Sequence, residues 1–178
     1  MSKKVLVLSS TPRKGGNSDV LCDKFTQGAK EVGHSVEKIN LREKHINYCT
    51  GCGACTRGMT CPQKDDATEI IQKMIDADII AMATPVYFYT ICAQMKTLID
   101  RCCAKYTEIN NKDFYFFITA ADGRQAALER TLEDFRGFTD CLNGANEKGV
   151  ILGSGVWQIG EIAQTSFVSD AYEMGKSC

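Results

Sequence analysis

The chain has 178 residues with 21 basic and 22 acidic side chains, which gives a formal net charge of −1. This balance argues against nucleic acid or an anionic membrane as a partner, and no apolar run is long enough to span a bilayer. With 44% hydrophobic residues and three prolines, the composition fits a single domain over residues 1–178 with a substantial core. The apolar run after Lys4 is too short for a signal peptide, and so we expect a cytoplasmic protein.

Strand and helix patterns alternate from the first residues to the last. Short apolar runs predict five strands, at Val5–Ser9, Ser35–Asn40, Ile79–Thr84 (ended by Pro85), Phe114–Thr119 and Val150–Leu152. Apolar residues at helical spacing predict five helices, at Ser18–Val32, Thr68–Ile75, Ile91–Ala104, Gln125–Leu142 and Ser166–Lys176. This alternation predicts an α/β fold, a flavodoxin-like three-layer sandwich with a five-stranded parallel sheet of order 2-1-3-4-5.

The loop between the first strand and the first helix, Ser9–Ser18, has the composition of a phosphate-binding loop. Gly15 and Gly16 allow close backbone approach, Arg13 offers a planar cation, and the helix N-terminus adds free N–H groups. Hydrogen bonds can also come from the side chains of Ser10, Thr11, Asn17 and Ser18. The alternative is an ordinary polar turn in which Asn17 or Ser18 caps the helix.

Two further loops are expected at the same edge of the sheet, because the carboxyl ends of parallel strands meet there. After the third strand, the backbone following Pro85 and the ring of Tyr87 suit a planar ring system, and Tyr87 equally suits the core or a subunit interface. The aromatic side chains of Phe88 and Tyr89 are assigned instead to the core or to a subunit interface. After the fourth strand, small residues at Thr119–Gly123 leave room for a planar group, and Asp122 equally suits the N-cap of the next helix.

Four cysteines with the spacing C-x2-C-x2-C-x5-C lie in one irregular insertion at about residues 45–64, and they are Cys49, Cys52, Cys55 and Cys61. A loop of this length is usually functional. The spacing favours a [4Fe–4S] cluster, and Gly51, Gly53 and Gly58 permit the tight turns around it. Zinc, thiol–disulfide chemistry and a reduced, metal-free loop are the alternatives. Five of the other cysteines are assigned to the core, namely Cys22, Cys92, Cys102, Cys103 and Cys141.

The chain resembles the iron–sulfur flavoproteins, a branch of the NADPH-dependent FMN reductase group of flavodoxin-like proteins. The resemblance covers nearly the whole chain, and the compact cysteine motif is specific to the branch. The other segments that match the family are Ser9–Ser18, Asp65-Asp66, Ala77–Tyr87, Lys96–Arg101 and Ala171–Lys176.

The resemblance implies FMN at the carboxyl edge of the sheet, a cluster on the four loop cysteines, and NAD(P)H as a candidate co-substrate. It places the FMN phosphate on Ser10, Arg13, Asn17 and Ser18, and the isoalloxazine ring against Pro85–Phe88 and the loop after the fourth strand. The expected cofactor-binding residues are Ser10, Thr11, Arg13, Gly16, Asn17, Ser18, Pro85, Val86, Tyr87, Phe88, Thr119, Ala120 and Asp122. The resemblance also implies a homodimer or homotetramer in which the cluster of one subunit lies near the flavin of another.

Three functions remain open at the level of sequence. The first is an FMN-dependent oxidoreductase that passes electrons between FMN and a [4Fe–4S] cluster, with ferredoxin or a small molecule as electron donor or acceptor. The second is an NAD(P)H-dependent FMN or quinone reductase whose cysteines are structural or redox-sensing. The third is a non-enzymatic metal- or redox-responsive protein. No catalytic side chain is assigned, because in the first two functions the cofactors carry the chemistry.

Overall fold

The computed structural model describes all residues, Met1–Cys178. Its strands are β1 (Lys4–Ser9), β2 (Ser35–Asn40), β3 (Ile79–Tyr87), β4 (Thr90–Ile91), β5 (Asp113–Thr119) and β6 (Asn146–Gly153). Five of them are parallel and follow the order β2-β1-β3-β5-β6, while the two-residue β4 pairs antiparallel with the end of β3. With β4 set aside, this is the predicted order 2-1-3-4-5, and the flavodoxin-like fold is confirmed.

The helices are α1 (Asn17–Glu31), α2 (Ala67–Asp76), α3 (Ala93–Arg101), α4 (Gln125–Thr139) and α5 (Phe167–Ser177). They form the two outer layers, because alternate side chains of each strand point to opposite faces of the sheet. In β1, Leu6 and Leu8 belong to the core beneath α2, α3 and α4. Val5 and Val7 belong to the core beneath α1 and α5. None of the helices is long and apolar enough to cross a membrane.

The expected end of the third strand at Pro85 is wrong. β3 continues to Tyr87, and Pro85 stays in register with Thr119 of β5. The pairing of β3 with β1 stops at Ala83. Beyond that point β3 has only one parallel neighbour. Proline has no backbone N–H to donate, and it is tolerated here because the free side of β3 resembles the edge of a sheet.

Other expectations also needed correction, among them the end of the fourth helix, which is Thr139 rather than Leu142, and the start of the last strand, which is Asn146 rather than Val150. The third helix begins at Ala93 rather than Ile91, because Thr90–Ile91 turn back along β3 as β4. It ends at Arg101 and is followed by a 3₁₀ turn at Cys102–Ala104. Cys103 and Cys141 are exposed rather than part of the core, whereas Cys22, Cys92 and Cys102 are buried.

Candidate functional site

A cavity of about 150 Å³ lies at the carboxyl ends of β1, β3 and β5. It is at the position where the strand order reverses, which is the usual ligand site of open α/β sheets. The three loops that the sequence predicted to face a ligand therefore meet. The lining residues are Thr11, Arg13, Gly16, Asn17, Ser18, Pro85, Val86, Tyr87, Thr119, Ala120, Ala121, Val156, Trp157 and Ile159.

Ser18 stands in the first turn of α1 and borders this cavity. It is fully buried, and its Oγ has no hydrogen-bond partner. Buried hydroxyl groups are normally paired, because removing one from water without a partner is unfavourable. An unpaired hydroxyl beside the N-terminal N–H groups of a helix is a fitting donor to a phosphate.

The helix begins one residue after Gly16, which is its N-cap and makes no side-chain capping bond. Neither Asn17 nor Ser18 is the cap, so this part of the alternative interpretation is wrong. A Cβ atom on Gly16 would lie 2.7 Å from Oγ1 of Thr11. The tight loop therefore requires glycine here, and its backbone stays open toward the cavity.

Asp19 holds the loop from behind. Its carboxylate accepts hydrogen bonds from the Ser9 hydroxyl (2.8 Å) and the Gly15 N–H (3.2 Å). It also forms ion pairs with Lys38 (2.7 Å) and Arg42 (3.3 Å). Burial acts to raise the pKa of Asp19, but the hydrogen bonds from Lys38 and Ser9 prevail, and the pKa lies below its ordinary value. The loop is thus fixed by an ionised carboxylate at neutral pH.

Two of the expected phosphate ligands have other partners. The side-chain amide of Asn17 donates to the Gln158 carbonyl (2.9 Å) and accepts from the Ile162 N–H (3.2 Å). Arg13 donates to the Trp157 carbonyl (2.9 Å), and its guanidinium lies 5.7 Å from the centre of the Trp157 ring. Both residues border the cavity, and they also hold the loop after β6 against it.

That loop supplies Val156, Trp157 and Ile159, which sequence reasoning missed. The available indication was the chain's one tryptophan, in a segment that follows the last parallel strand and must therefore start at the same edge of the sheet. Ala121 also lines the cavity; it lies in the predicted loop Thr119–Gly123, although it was not named as a cofactor-binding residue.

Three expected residues do not line the cavity. The hydroxyl of Ser10 donates to the Ala83 carbonyl (2.7 Å) and is buried between strands. Phe88 is 99% exposed at the tip of the β3–β4 hairpin. Asp122 pairs with Arg124 (2.6 Å), and it does not cap α4, whose N-cap is Arg124.

The four cysteines of the insertion are free thiols, with Cys49 and Cys52 exposed and Cys55 and Cys61 half-buried. No group of three or more His, Cys, Asp or Glu side chains is arranged to hold a single metal ion. The loop does have the expected turns. Gly51, Gly53 and Gly58 adopt φ values of +63°, +69° and +78°, a region that favours glycine. The donor set and its backbone therefore suit a cluster.

The base of this loop rests on a buried ion pair between Arg101 of α3 and Asp65, 2.6 Å apart. Burial acts to raise the pKa of Asp65, but hydrogen bonds from Arg101 and from the N–H groups of Asn47 and Ala67 lower it to about 2. Sequence reasoning gave Arg101 no role. On the same helix, Lys96 and Asp100 form an ion pair at the surface, 2.5 Å apart.

The parallel sheet and the cavity at the N-terminus of α1 define a flavodoxin-like protein with a candidate ligand site at the carboxyl edge of the sheet. The family model for NADPH-dependent FMN reductase matches residues 3–146. An iron–sulfur flavoprotein of Methanocaldococcus jannaschii is 30% identical over 162 residues, which cover 86% of this chain and 81% of that protein. The chain thus belongs to the NADPH-dependent FMN reductase family, in its iron–sulfur flavoprotein branch.

Two further comparisons fit this assignment. An iron–sulfur flavoprotein of Archaeoglobus fulgidus is 40% identical over 98 residues, which are 55% of this chain and 44% of that protein. The chain spans about half the length of the curated relatives that it matches over those 98 residues. Among solved structures, an azoreductase from Bacillus anthracis superposes with a TM-score of 0.79 at 18% identity, with full coverage of both chains. This last likeness supports the fold.

Proposed function

We propose that the protein is an FMN-dependent oxidoreductase that passes electrons between FMN and a [4Fe–4S] cluster. The observation that carries the proposal is the buried, unpaired hydroxyl of Ser18, a residue that lines the cavity at the N-terminus of α1. Membership of the FMN reductase family supports FMN as the ligand. The names of the relatives support a cluster.

The cavity offers each part of FMN a suitable surface. Ser18, Arg13 and the N–H groups of the first turn of α1 would bind the phosphate, while Asp19 keeps their loop in place. The ring system would lie near Pro85–Tyr87 of β3 and the small residues after β5, where apolar side chains exclude water. Bound FMN would supply two-electron chemistry, and no side chain needs to act as an acid, a base or a nucleophile.

The four thiols of the cysteine loop would hold the cluster. A cluster would supply one-electron transfer, and thiolates are its usual ligands. The chain contributes a loop with a fixed base, three glycines in the left-handed region and no disulfide that would occupy the sulfur atoms.

The second candidate is an NAD(P)H-dependent FMN or quinone reductase without a cluster, whose cysteines are structural or redox-sensing. The observation in its favour is that the cavity does not include the cysteine loop, so this chemistry requires no cysteine.

Purification without oxygen and with added FMN distinguishes the two candidate functions. The cluster proposal expects a brown protein with about four iron and four sulfide per chain. Iron should fall sharply in Cys61→Ser but stay unchanged in Cys141→Ser, which removes an exposed thiol outside the loop. A yellow protein that holds FMN but no iron, even after treatment with ferrous iron and sulfide, would exclude the first candidate. Rapid reduction of that protein by NADPH would establish the second.

We also propose that the protein forms a homodimer or homotetramer. Large apolar side chains are exposed around the cavity and its neighbouring hairpin, namely Tyr87, Phe88, Tyr89, Trp157 and Ile159. Clustered exposed apolar residues are typical of protein interfaces.

A further inference from the structure

Arg101 differs from the other charged residues of α3. Its side chain is 3% exposed, whereas Lys96 and Asp100 form a pair at the surface. A buried charge is tolerated only where partners compensate for the lost water. Its partners therefore indicate what the residue does.

All partners of Arg101 belong to the cysteine loop or to its ends. One guanidinium nitrogen, Nη1, donates to the carboxylate of Asp65 (2.6 Å) and to the carbonyl of Asn47 (2.9 Å). The other, Nη2, donates to the sulfur of Cys61 (3.5 Å). The same side chain thus contacts the loop before its first cysteine, at its last cysteine and after it.

Asp65 completes the anchor. Its carboxylate accepts hydrogen bonds from the backbone N–H (2.9 Å) and the side-chain amide (3.2 Å) of Asn47, and from the N–H of Ala67 (3.1 Å). The next pair outward, His45 and Asp66, is joined by two more hydrogen bonds of 2.7 and 3.0 Å. The two ends of the insertion are therefore fastened together over one buried guanidinium.

We propose that Arg101 is the positioning residue of the cysteine loop. With Asp65 it closes the base of the loop, and its N–H group fixes the sulfur of Cys61 beside a positive charge. The anchor consists of contacts between groups of the chain itself, and no metal takes part in them. The effect of the charge on a cluster rests on the proposed function.

The guanidinium has a specific consequence at Cys61. An N–H donor and a positive charge beside a ligating sulfur favour the more negatively charged, reduced form of a cluster, and so raise its reduction potential. Lysine would keep the charge but lose the planar fork that reaches Asp65, Asn47 and Cys61 together. Arg101→Lys is therefore expected to fall between the wild type and Arg101→Met.

The anchor can be tested on the full-length, metal-free protein by the rate of tryptic cleavage after Arg57 and Lys64, both inside the loop. Arg101→Met should be cleaved at least about tenfold faster. The wild-type loop can open only by breaking the contacts of Arg101, and in the variant this free-energy cost of opening is absent. This variant leaves the carboxylate of Asp65 buried and without its ion-pair partner, which can destabilise the protein by itself. The double variant Arg101→Met/Asp65→Asn removes both charges and so avoids this effect. The matched control is Arg136→Met, which removes an ion-paired arginine on α4. Equal cleavage rates in the wild type and both Arg101 variants would overturn the anchor.

The contact with Cys61 is tested by a double-mutant cycle on the same cleavage rate. Cys61→Ala should speed cleavage severalfold in the wild type but not in Arg101→Met, because the contact is already lost there. Independent effects of the two changes would overturn the contact. Neither assay needs metal, so both remain decisive if the protein takes up no iron and the cluster proposal fails.

If the wild type does load a cluster, the midpoint potential of the loaded protein should decrease in the order wild type, Arg101→Lys, Arg101→Met. A merely structural role would lower the iron content without moving the potential of the remaining clusters. Unchanged potentials would thus overturn the role of the charge while leaving the cluster proposal intact.

Discussion

Ser18 is one of four residues with a buried side-chain oxygen that lacks a partner, the others being Thr26, Asn40 and Thr131. Of these, Ser18 alone borders the cavity at the N-terminus of α1. The protein bears the cost of an unsatisfied hydroxyl at the position where an anion would satisfy it. The missing hydrogen bond of Ser18 is therefore best explained by a ligand that accepts it.

Replacement of this hydroxyl should have opposite effects on stability and binding. In Ser18→Ala, FMN should bind about 10- to 100-fold more weakly, because a hydrogen bond to a charged group contributes about 1.5–3 kcal/mol. The free energy of unfolding without FMN should stay the same or rise, since no hydrogen bond is lost. Calorimetric titration and urea unfolding measure the two effects. Ser169→Ala on α5 is the control, and unchanged FMN affinity in Ser18→Ala would contradict a phosphate at this hydroxyl.

Asp65 makes the stability of the protein depend on pH in the acid range. Its pKa is about 2 in the folded protein and 3.8 in its ordinary state. A lowered pKa stabilises the fold above the ordinary value, and this contribution is lost as pH falls from about 4 to about 2. The contribution amounts to about 1–2 kcal/mol after allowance for solvent screening.

The double variant Arg101→Met/Asp65→Asn lacks this group, and the comparison of urea unfolding at pH 7 and pH 2.5 isolates it. The wild type should lose about 1–2 kcal/mol more than the double variant between the two pH values. An equal loss of unfolding free energy in both proteins would show that the folded state does not lower the pKa of Asp65.

At the scale of elements, helices α1 and α5 cross so closely that their backbones touch. A Cβ atom on Gly28 would lie 2.2 Å from the carbonyl oxygen of Tyr172, and one on Gly175 would lie 2.2 Å from that of Phe25. These glycines are placed by packing rather than by backbone conformation. The contact fixes α1, and hence the loop Ser9–Ser18 at its N-terminus, to the last helix of the chain.

Alanine at Gly28 should therefore destabilise the protein by about 1–3 kcal/mol, although alanine is the better helix former. Gly137 in α4 is the matched control, because a Cβ atom there meets nothing within 4 Å. Gly137→Ala should stabilise the protein by about 0.5–1 kcal/mol. Thermal and urea unfolding measure both, and two changes of the same sign would refute the close crossing.

The elements that the sequence predicted well are those whose burial repeats with a regular period. Val5–Ser9 and the helix after it follow such patterns, and their ends lie within one residue of prediction. The two-residue β4 has no period and could not be found. At the site, Thr11 and Ser18 follow from the rule that parallel strands end at one edge. The role of Arg101 depends on Asp65, 36 residues away, and no local pattern indicates such a contact.

At the scale of the whole molecule, the β3–β4 hairpin carries aromatic side chains into solvent at an unfavourable backbone geometry. Phe88 and Tyr89 form its two-residue turn, with φ values of +52° and +62°. Such turns prefer Asn-Gly, because bulky residues are strained at positive φ. The ring of Tyr89 also lies against Arg130, with the guanidinium carbon 5.4 Å from its centre. Strain together with exposure points to a role for these rings outside the chain's own core.

We therefore expect the hairpin to contribute to the proposed subunit interface, and Phe88→Asn/Tyr89→Gly tests this. The substitution relieves the turn, so the free energy of unfolding of the monomer should rise by about 1–3 kcal/mol. It also removes two aromatic contacts, so self-association should weaken by about tenfold or more. Sedimentation equilibrium measures association, and urea unfolding at low protein concentration measures the monomer. Tyr106→Ser, which removes another half-exposed aromatic side chain, is the control. If the variant associates as strongly as the wild type, the two rings make no contact between subunits, and the interface lies elsewhere.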